Sequence, residues 1–205
     1  MISGAAAGLG LGAATHAPPV TCAILAGVTM LGALVPDIDC PSSTVSRFVP
    51  VLGRVVSWIV RRASAALYSV TKGPRDENWE GTHRHLTHTL LFAAGLGFLV
   101  TLLATPWTGT RPATLIGVGI GLGCLTHDVG DTLTLRGCPI LFPLPIAGEY
   151  WYELRPPRPL RFRTGGWVEH LLVFPALYVT TALLIPGVWP IVWPLVSETA
   201  RSLRR

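Results

Sequence analysis

Residues 81–107 read GTHRHLTHTLLFAAGLGFLVTLLATPW, and this stretch decides what kind of protein the chain is. From Leu86 to Trp107 there is no Lys, Arg, Asp or Glu, and the run is long enough to cross a bilayer, which takes about 20 apolar residues. Its leading edge carries three histidines, His83, His85 and His88. An apolar span opened by a cluster of ionisable side chains is the pattern that the rest of the sequence repeats.

Working outward, the spacing predicts further spans over 20–36, 113–128 and 167–185. Pro18-Pro19 splits the N-terminal apolar run, leaving Ser3–Thr15 short for a span. Composition agrees. Of 205 residues only 13% are charged, where a soluble domain needs about 25% to cover its surface. Mean hydropathy is +0.50. The expected fold is therefore all-α: a polytopic integral membrane bundle of about four spans, forming one domain over 1–205. Val51–Val70 sets Arg54, Arg61 and Arg62 among Val, Leu, Ile and Trp58, the pattern of an amphipathic helix lying at the interface. The segment 137–166 is rich in Pro and Arg and reads as a loop. The N-terminus lacks a basic n-region and does not read as a cleaved signal peptide.

Net charge is +5, which in a membrane protein marks cytoplasmic loops and contact with anionic headgroups. No helix-turn-helix or aromatic-basic platform supports nucleic acid as a partner; membrane lipids are the expected partners. Cys22 and Cys124 lie in apolar runs and read as packing residues, whereas Cys40 and Cys138 adjoin polar motifs and leave a disulfide or ligand role open.

Polar residues gather where spans begin and end. His16 precedes the first span, and Asp37 and Asp39 close it; His127, Asp128 and Asp131 close the third; Glu169 and His170 open the fourth. Each such group costs about 2.5–3.5 kcal/mol at mid-bilayer and less near the interface. A shared divalent cation offsets that cost for acids and imidazoles together. His127 and Asp131 are four apart and share a helix face. His83 and His88 are five apart, so their segment must begin as a loop for both to converge. The clusters are expected on one face of the bundle. His85 reads equally as a ligand or a solvated loop residue, His170 as an interfacial residue, and Asp128 also as a cap or an arginine partner.

In this order the motifs resemble the LexA-binding, inner-membrane-associated metal-dependent hydrolase family, the YdjM-like family. HRHLTHT at 83–89 resembles its HRG-x-THS signature, with His85 in place of Gly and Thr89 in place of Ser. PDID at 36–39, THDVGDTLTLRGCPILFP at 126–143, and RTGGWVE at 163–169 look like its other signatures. The resemblance implies metal-ligand roles for His16, Asp37, Asp39, His83, His88, His127, Asp131 and Glu169. More distantly, the His-x-x-x-Asp pair is similar to the zinc-dependent phospholipase C and P1-nuclease superfamily.

The expectation is a membrane-bound metal-dependent hydrolase acting on a phosphoester or phospholipid-type substrate, with Asp39, Arg84 and Asp128 at the reaction. Arg84 would bind an anionic substrate's phosphate. Mixed His and carboxylate ligands suit Zn best, with Mn or Fe as substitutes, and the ligand surplus suits two ions. One rival is a non-catalytic membrane adaptor or regulator with a structural metal. Another is a transporter, which would place its ligands at mid-bilayer rather than at span ends.

Basic residues concentrate between the first and second spans and between the third and fourth, while Arg111 stands alone between the second and third. The two basic loops, and the site, are thus expected on the cytoplasmic side of the inner membrane. The basic tail, Arg201, Arg204 and Arg205, would lie outside if the spans number four. Cysteine probes placed near Thr108–Thr110 are expected to react with an impermeant reagent added to intact cells, and probes at 72–80 or 155–163 to stay protected. Labelling of either basic loop from outside would reverse the topology.

Overall fold

A computed structural model describes residues 1–40, 43, 50–76 and 84–188. The described residues form six α-helices and no β-strand: α1 Ile2–Ala14, α2 Pro19–Gly32, α3 Pro50–Thr71, α4 Leu90–Thr108, α5 Thr110–Thr132 and α6 Phe174–Leu184. Single 3-10 turns cover Pro36–Asp39 and Leu86–His88. Three stretches are long and apolar enough to cross a membrane, Pro19–Asp39, Leu90–Thr108 and Thr110–Thr132. They fall on the first three expected spans. The second begins later than its hydropathy suggests, because residues 86–88 curl into a 3-10 turn and Thr89 caps α4 by accepting the Phe92 N–H. The fourth is helical from Trp167, passes through a π turn at Glu169–Val173 and continues into α6. The apolar helix Glu169–Leu184 is shorter than the other three; at 1.5 Å per residue it covers about 24 Å of a hydrocarbon core about 30 Å thick. The tail from 189 onward, including its three arginines, lies outside the described residues.

Small residues hold the bundle together. Lipid offers helices no hydrophobic gain on association, so close van der Waals approach and interhelical hydrogen bonds carry the packing. Gly4, Gly8 and Gly12 recur every four residues along α1 and face Thr29, Leu25 and Cys22 of α2. Thr29 is fully buried, and its hydroxyl lies 2.6 Å from the Gly4 carbonyl. Gly97 and Gly117 do the same for α4 and α5, a hairpin that turns at Gly109. Gly32 of α2 meets the backbone of Ile120, and Gly123 of α5 meets Thr29 and Ala33. Leucines and phenylalanine on the outer side of α4, such as Leu91, Phe98 and Leu103, are left for lipid.

Helix α3 is amphipathic, and it turns its polar side inward. Ser57, Ser64 and Tyr68 are buried, while Val51, Leu52, Val55, Trp58 and Ile59 are exposed. Ser57 donates to the Asp39 carbonyl at 2.9 Å, and Ser64 accepts the Leu86 N–H at 3.3 Å. Thr71, on the same side, accepts the Trp151 indole N–H at 3.0 Å. The inner face of this one helix thus ties down PDID, the turn at 86–88 and the loop around Trp151.

That loop is more ordered than its Pro/Arg content suggests. Cys138, Ile140, Phe142 and Trp151 are buried, Phe142 stacks on Trp151 at 3.9 Å between ring centroids, and the Leu90 N–H donates to the Ile140 carbonyl. It folds over the polar end of the spans and packs against Tyr68.

Glycine packing is testable with matched substitutions. A Cβ on Gly8 would overlap Thr29 Oγ1 and the Leu25 carbonyl, whereas nothing lies within 4 Å of one on Gly10. Gly8→Ala is expected to destabilise the protein in detergent by about 1–3 kcal/mol, the usual cost of overpacking. Gly10→Ala should be neutral or slightly stabilising, read as the shift in thermal unfolding midpoint.

Candidate metal centre

The polar end of the bundle brings together ligand atoms from three elements. Asp37 comes from the PDID turn, His88 from the turn before α4, and His127 and Asp131 from the last turns of α5. Ligand atoms of Asp37, His88 and His127 all lie within 4.8 Å of one another. Asp37 Oδ1 is 3.6 Å from His127 Nε2 and 3.9 Å from His88 Nε2. Asp131 Oδ2 is 3.3 Å from His88 Nε2 and 3.8 Å from His127 Nε2.

Hydrogen bonds at the far side of each ring fix which nitrogen is bare. His127 Nδ1 lies 2.9 Å from the Ala33 carbonyl, which can only accept, so Nδ1 carries the proton. Thr87 donates its single hydroxyl proton to Asp39 Oδ2 at 3.1 Å. Toward His88 Nδ1, 3.0 Å away, it can then only accept. In both neutral rings Nε2 is therefore the lone-pair nitrogen, and both Nε2 atoms face the same two carboxylates. Two lone pairs and two anions facing one another repel unless a proton or a metal cation stands among them, and Arg84 relieves only the Asp131 carboxylate. A tetrahedral shell with bonds of about 2.0–2.2 Å sets its donors roughly 3.3–3.5 Å apart. Asp37 Oδ1, at 3.6 and 3.9 Å from the two Nε2 atoms, approaches that spacing with slight expansion, and Asp131 Oδ2 lies at 3.3 and 3.8 Å from the same nitrogens, beside the three-residue group.

Access is one-sided. His88 is fully buried, His127 and Asp131 are mostly so, and Asp37 is 42% exposed. The buried side is closed by Arg84, whose Nε is 3.1 Å from Asp131 Oδ2 and whose Nη1 donates to Thr134 at 3.1 Å. Arg84 adopts φ 59, with its backbone N–H donating to Asp39 Oδ2 at 3.3 Å.

A family model described as YdjM inner membrane protein matches residues 1–195. The chain belongs to that family. Among curated proteins it is similar to the uncharacterized protein YvsG of Bacillus subtilis (strain 168), 27% identical over 150 residues that cover 73% of this chain and 71% of that protein. No solved structure matches.

In this YdjM-family chain the residues singled out by sequence separate into distinct groups. Asp37, His88, His127 and Asp131 converge. Asp39 does not join their ligand atoms; it is buried behind them and reaches His88 through Thr87. Arg84 is engaged by Asp131 rather than standing free for a phosphate. Asp128 is wholly buried and neither of its oxygens has a hydrogen-bond partner among the described residues, so it neither caps nor pairs with an arginine there.

His16 is not brought to the cluster. It lies in the α1–α2 turn, at the opposite end of α2, about 20 Å away at 1.5 Å per residue. The expectation that every polar cluster shares one face fails there, because α2 runs the length of the bundle between His16 and Asp37. Glu169 accepts the Gly165 N–H at 2.5 Å and serves its own turn. His83 lies outside the described residues. His170 is exposed and bonds to the Gly166 carbonyl of its own helix.

His85 is neither solvated nor at the cluster. It is buried edge-on to Tyr68, with ring centroids 5.1 Å apart, and packs beside Trp151. The four cysteines are free thiols, and burial pushes the Cys138 thiol pKa well up. Sequence reasoning missed Thr87 and the Ala33 carbonyl, the two groups that set the imidazole tautomers. A Thr directly before a ligand His was the one available signal.

Asp131→Asn keeps size but loses charge, and should strip metal from the purified protein, while His170→Ala should leave metal content at the wild-type level. Thr87→Val removes the hydroxyl relay alone, and is expected to weaken metal affinity about 10–100-fold, the usual effect of losing an outer-shell partner. Elemental analysis and metal titration read these outcomes; retained metal in Asp131→Asn would remove that residue from the centre.

Proposed function

We propose that this protein is a membrane-bound metal-dependent hydrolase of phosphoester or phospholipid-type substrates, with its site at the cytoplasmic face of the inner membrane. The observation that carries this reading is the convergence of two Nε2 lone pairs and two carboxylates with one side open. Asp37, His88, His127 and Asp131 would hold a divalent ion; their mixed N/O chemistry suits Zn, and also Mn or Fe. When bound, such an ion supplies Lewis acidity and lowers the pKa of a coordinated water.

The chain's own residues supply the rest. Asp39 and Thr87 orient His88, and Ala33 orients His127, so the donor set is preorganised. Arg84 pairs with Asp131 and holds its carboxylate in place. Exposed Trp58 and Ile59 with Arg54 and Arg62 on α3 suit the headgroup layer, so anionic lipid would be held beside the site. Among the described residues one group, Asp37, His88 and His127, has all its ligand atoms within 4.8 Å of one another, which favours one ion over two.

One feature favours the structural-metal adaptor: the full burial of His88 and the arginine clamp on Asp131 close the inner side. The half-exposed Asp37 weighs against it, since structural sites are closed by protein on all sides. Purified protein is expected to carry about one equivalent of transition metal and to cleave a generic phosphodiester or phospholipid; chelation should abolish that cleavage and Zn restore it. Stoichiometric metal with no turnover on any phosphoester would instead establish the adaptor.

A further inference from the structure

We infer that the end of the bundle remote from the metal centre holds an anionic phospholipid, one acyl chain lying between α2 and α5 and its phosphate on Arg111 and His16. The inference is independent of the hydrolase reading. It explains why His16, an ionisable residue placed far from the cluster, stands where it does.

A groove of about 540 Å³ runs between the start of α2 and the start of α5. Ile24, Leu25, Leu115 and Ile116 form its apolar walls, and His16 and Arg111 also line it. No carboxylate is among the lining residues, and no ion pair engages Arg111 among the described residues. One guanidinium and one imidazole therefore flank an uncovered apolar trough, a donor pair above an apolar wall that suits a lipid phosphate above its acyl chain.

Depth agrees with this occupant. Trp107, which is 88% exposed at the end of α4, marks the level of the headgroups, where indole rings collect. Arg111 lies at the same end, in the first turn of the next helix, past the hairpin glycine Gly109. Its guanidinium can reach the phosphate layer while its methylenes lie along the apolar wall. Arginine donates in a planar fork that matches phosphate oxygens, so the contact discriminates by charge as well as by fit. A second copy of this chain would bring a second Arg111 guanidinium toward the same patch if it docked there symmetrically. That favours lipid over self-association.

The test uses the full chain purified in detergent, with native mass spectrometry to count retained lipid after adding dioleoyl phosphatidylglycerol or dioleoyl phosphatidylcholine. Wild type is expected to retain one phosphatidylglycerol in preference to phosphatidylcholine. Arg111→Gln should weaken phosphatidylglycerol about tenfold, the scale of one lost charge-assisted contact, and erase the preference. Leu115→Trp fills the trough and should lower retention of both lipids, while Arg158→Gln in the exposed part of the 137–166 loop should keep wild-type binding. Helical content by circular dichroism checks that each variant is folded, and Arg111→Gln, at an exposed position, keeps the test decisive if Leu115→Trp is not. Inorganic phosphate in excess should not displace the lipid. Equal retention of the two lipids by wild type, unchanged preference in Arg111→Gln, displacement by phosphate alone, or a dimer in place of bound lipid would each overturn the inference.

Discussion

Everything at the polar end of this protein depends on how closely α2 and α5 approach each other. A Cβ on Gly123 would fall 2.7 Å from the Ala33 nitrogen, and one on Gly32 would fall 2.9 Å from Ile120 Cα. Backbone therefore lies on backbone at this crossing. Only at that distance does the Ala33 carbonyl come within 2.9 Å of His127 Nδ1. One packing contact thus fixes both the bundle and the chemistry, since the same bond that docks α5 on α2 leaves His127 Nε2 bare. Larger residues at Gly32 or Gly123 would separate the helices and cost the imidazole its orientation along with the packing.

The second constraint is the inward polar face of α3. This helix turns its small hydroxyls and Tyr68 toward hydrogen-bonding loops and leaves apolar residues such as Trp58 and Ile59 exposed beside Arg54 and Arg62. Ser57 and Ser64 lie seven apart, two helical turns, and each clamps the backbone of a different site segment. The small hydroxyls let those loops come close, and their bonds satisfy backbone groups that would otherwise be stranded beside the hydrocarbon. The loop at 137–166 completes the enclosure by stacking Phe142 and Trp151 on Tyr68 and His85. His85 owes its burial to those rings, and this is why its neighbour His88 can face the opposite way into the cluster.

Placement at span ends keeps the polar cluster affordable in energy. Ionisable groups at mid-bilayer cost several kcal/mol each, and less toward the interface. Asp37 retains contact with the exterior while His88 is sealed, so the cluster straddles the boundary between the protein interior and its surface. The opposite end bears the basic pair His16 and Arg111 beside an apolar groove. The two ends of the bundle thus differ in chemistry: acids and imidazoles drawn together at one, an arginine and a histidine beside an apolar groove at the other.

Sequence by itself determined the membrane character, the all-helical class and the first three spans, because hydropathy and the scarcity of charge act over whole segments and need no partner. It also marked Asp37, His88, His127 and Asp131, since ionisable groups beside apolar runs are conspicuous wherever the chain goes. Tertiary structure alone decided which of the marked residues meet. His16 and Asp37 flank the same helix and look equivalent in a linear reading, yet its length holds them apart. Asp37 and Asp39 are two residues apart, yet a 3-10 turn sends one to the cluster and the other behind Thr87. Local pattern reports what each segment prefers to contact. Close approach of glycine-lined backbones, which no periodicity records, decides what it does contact.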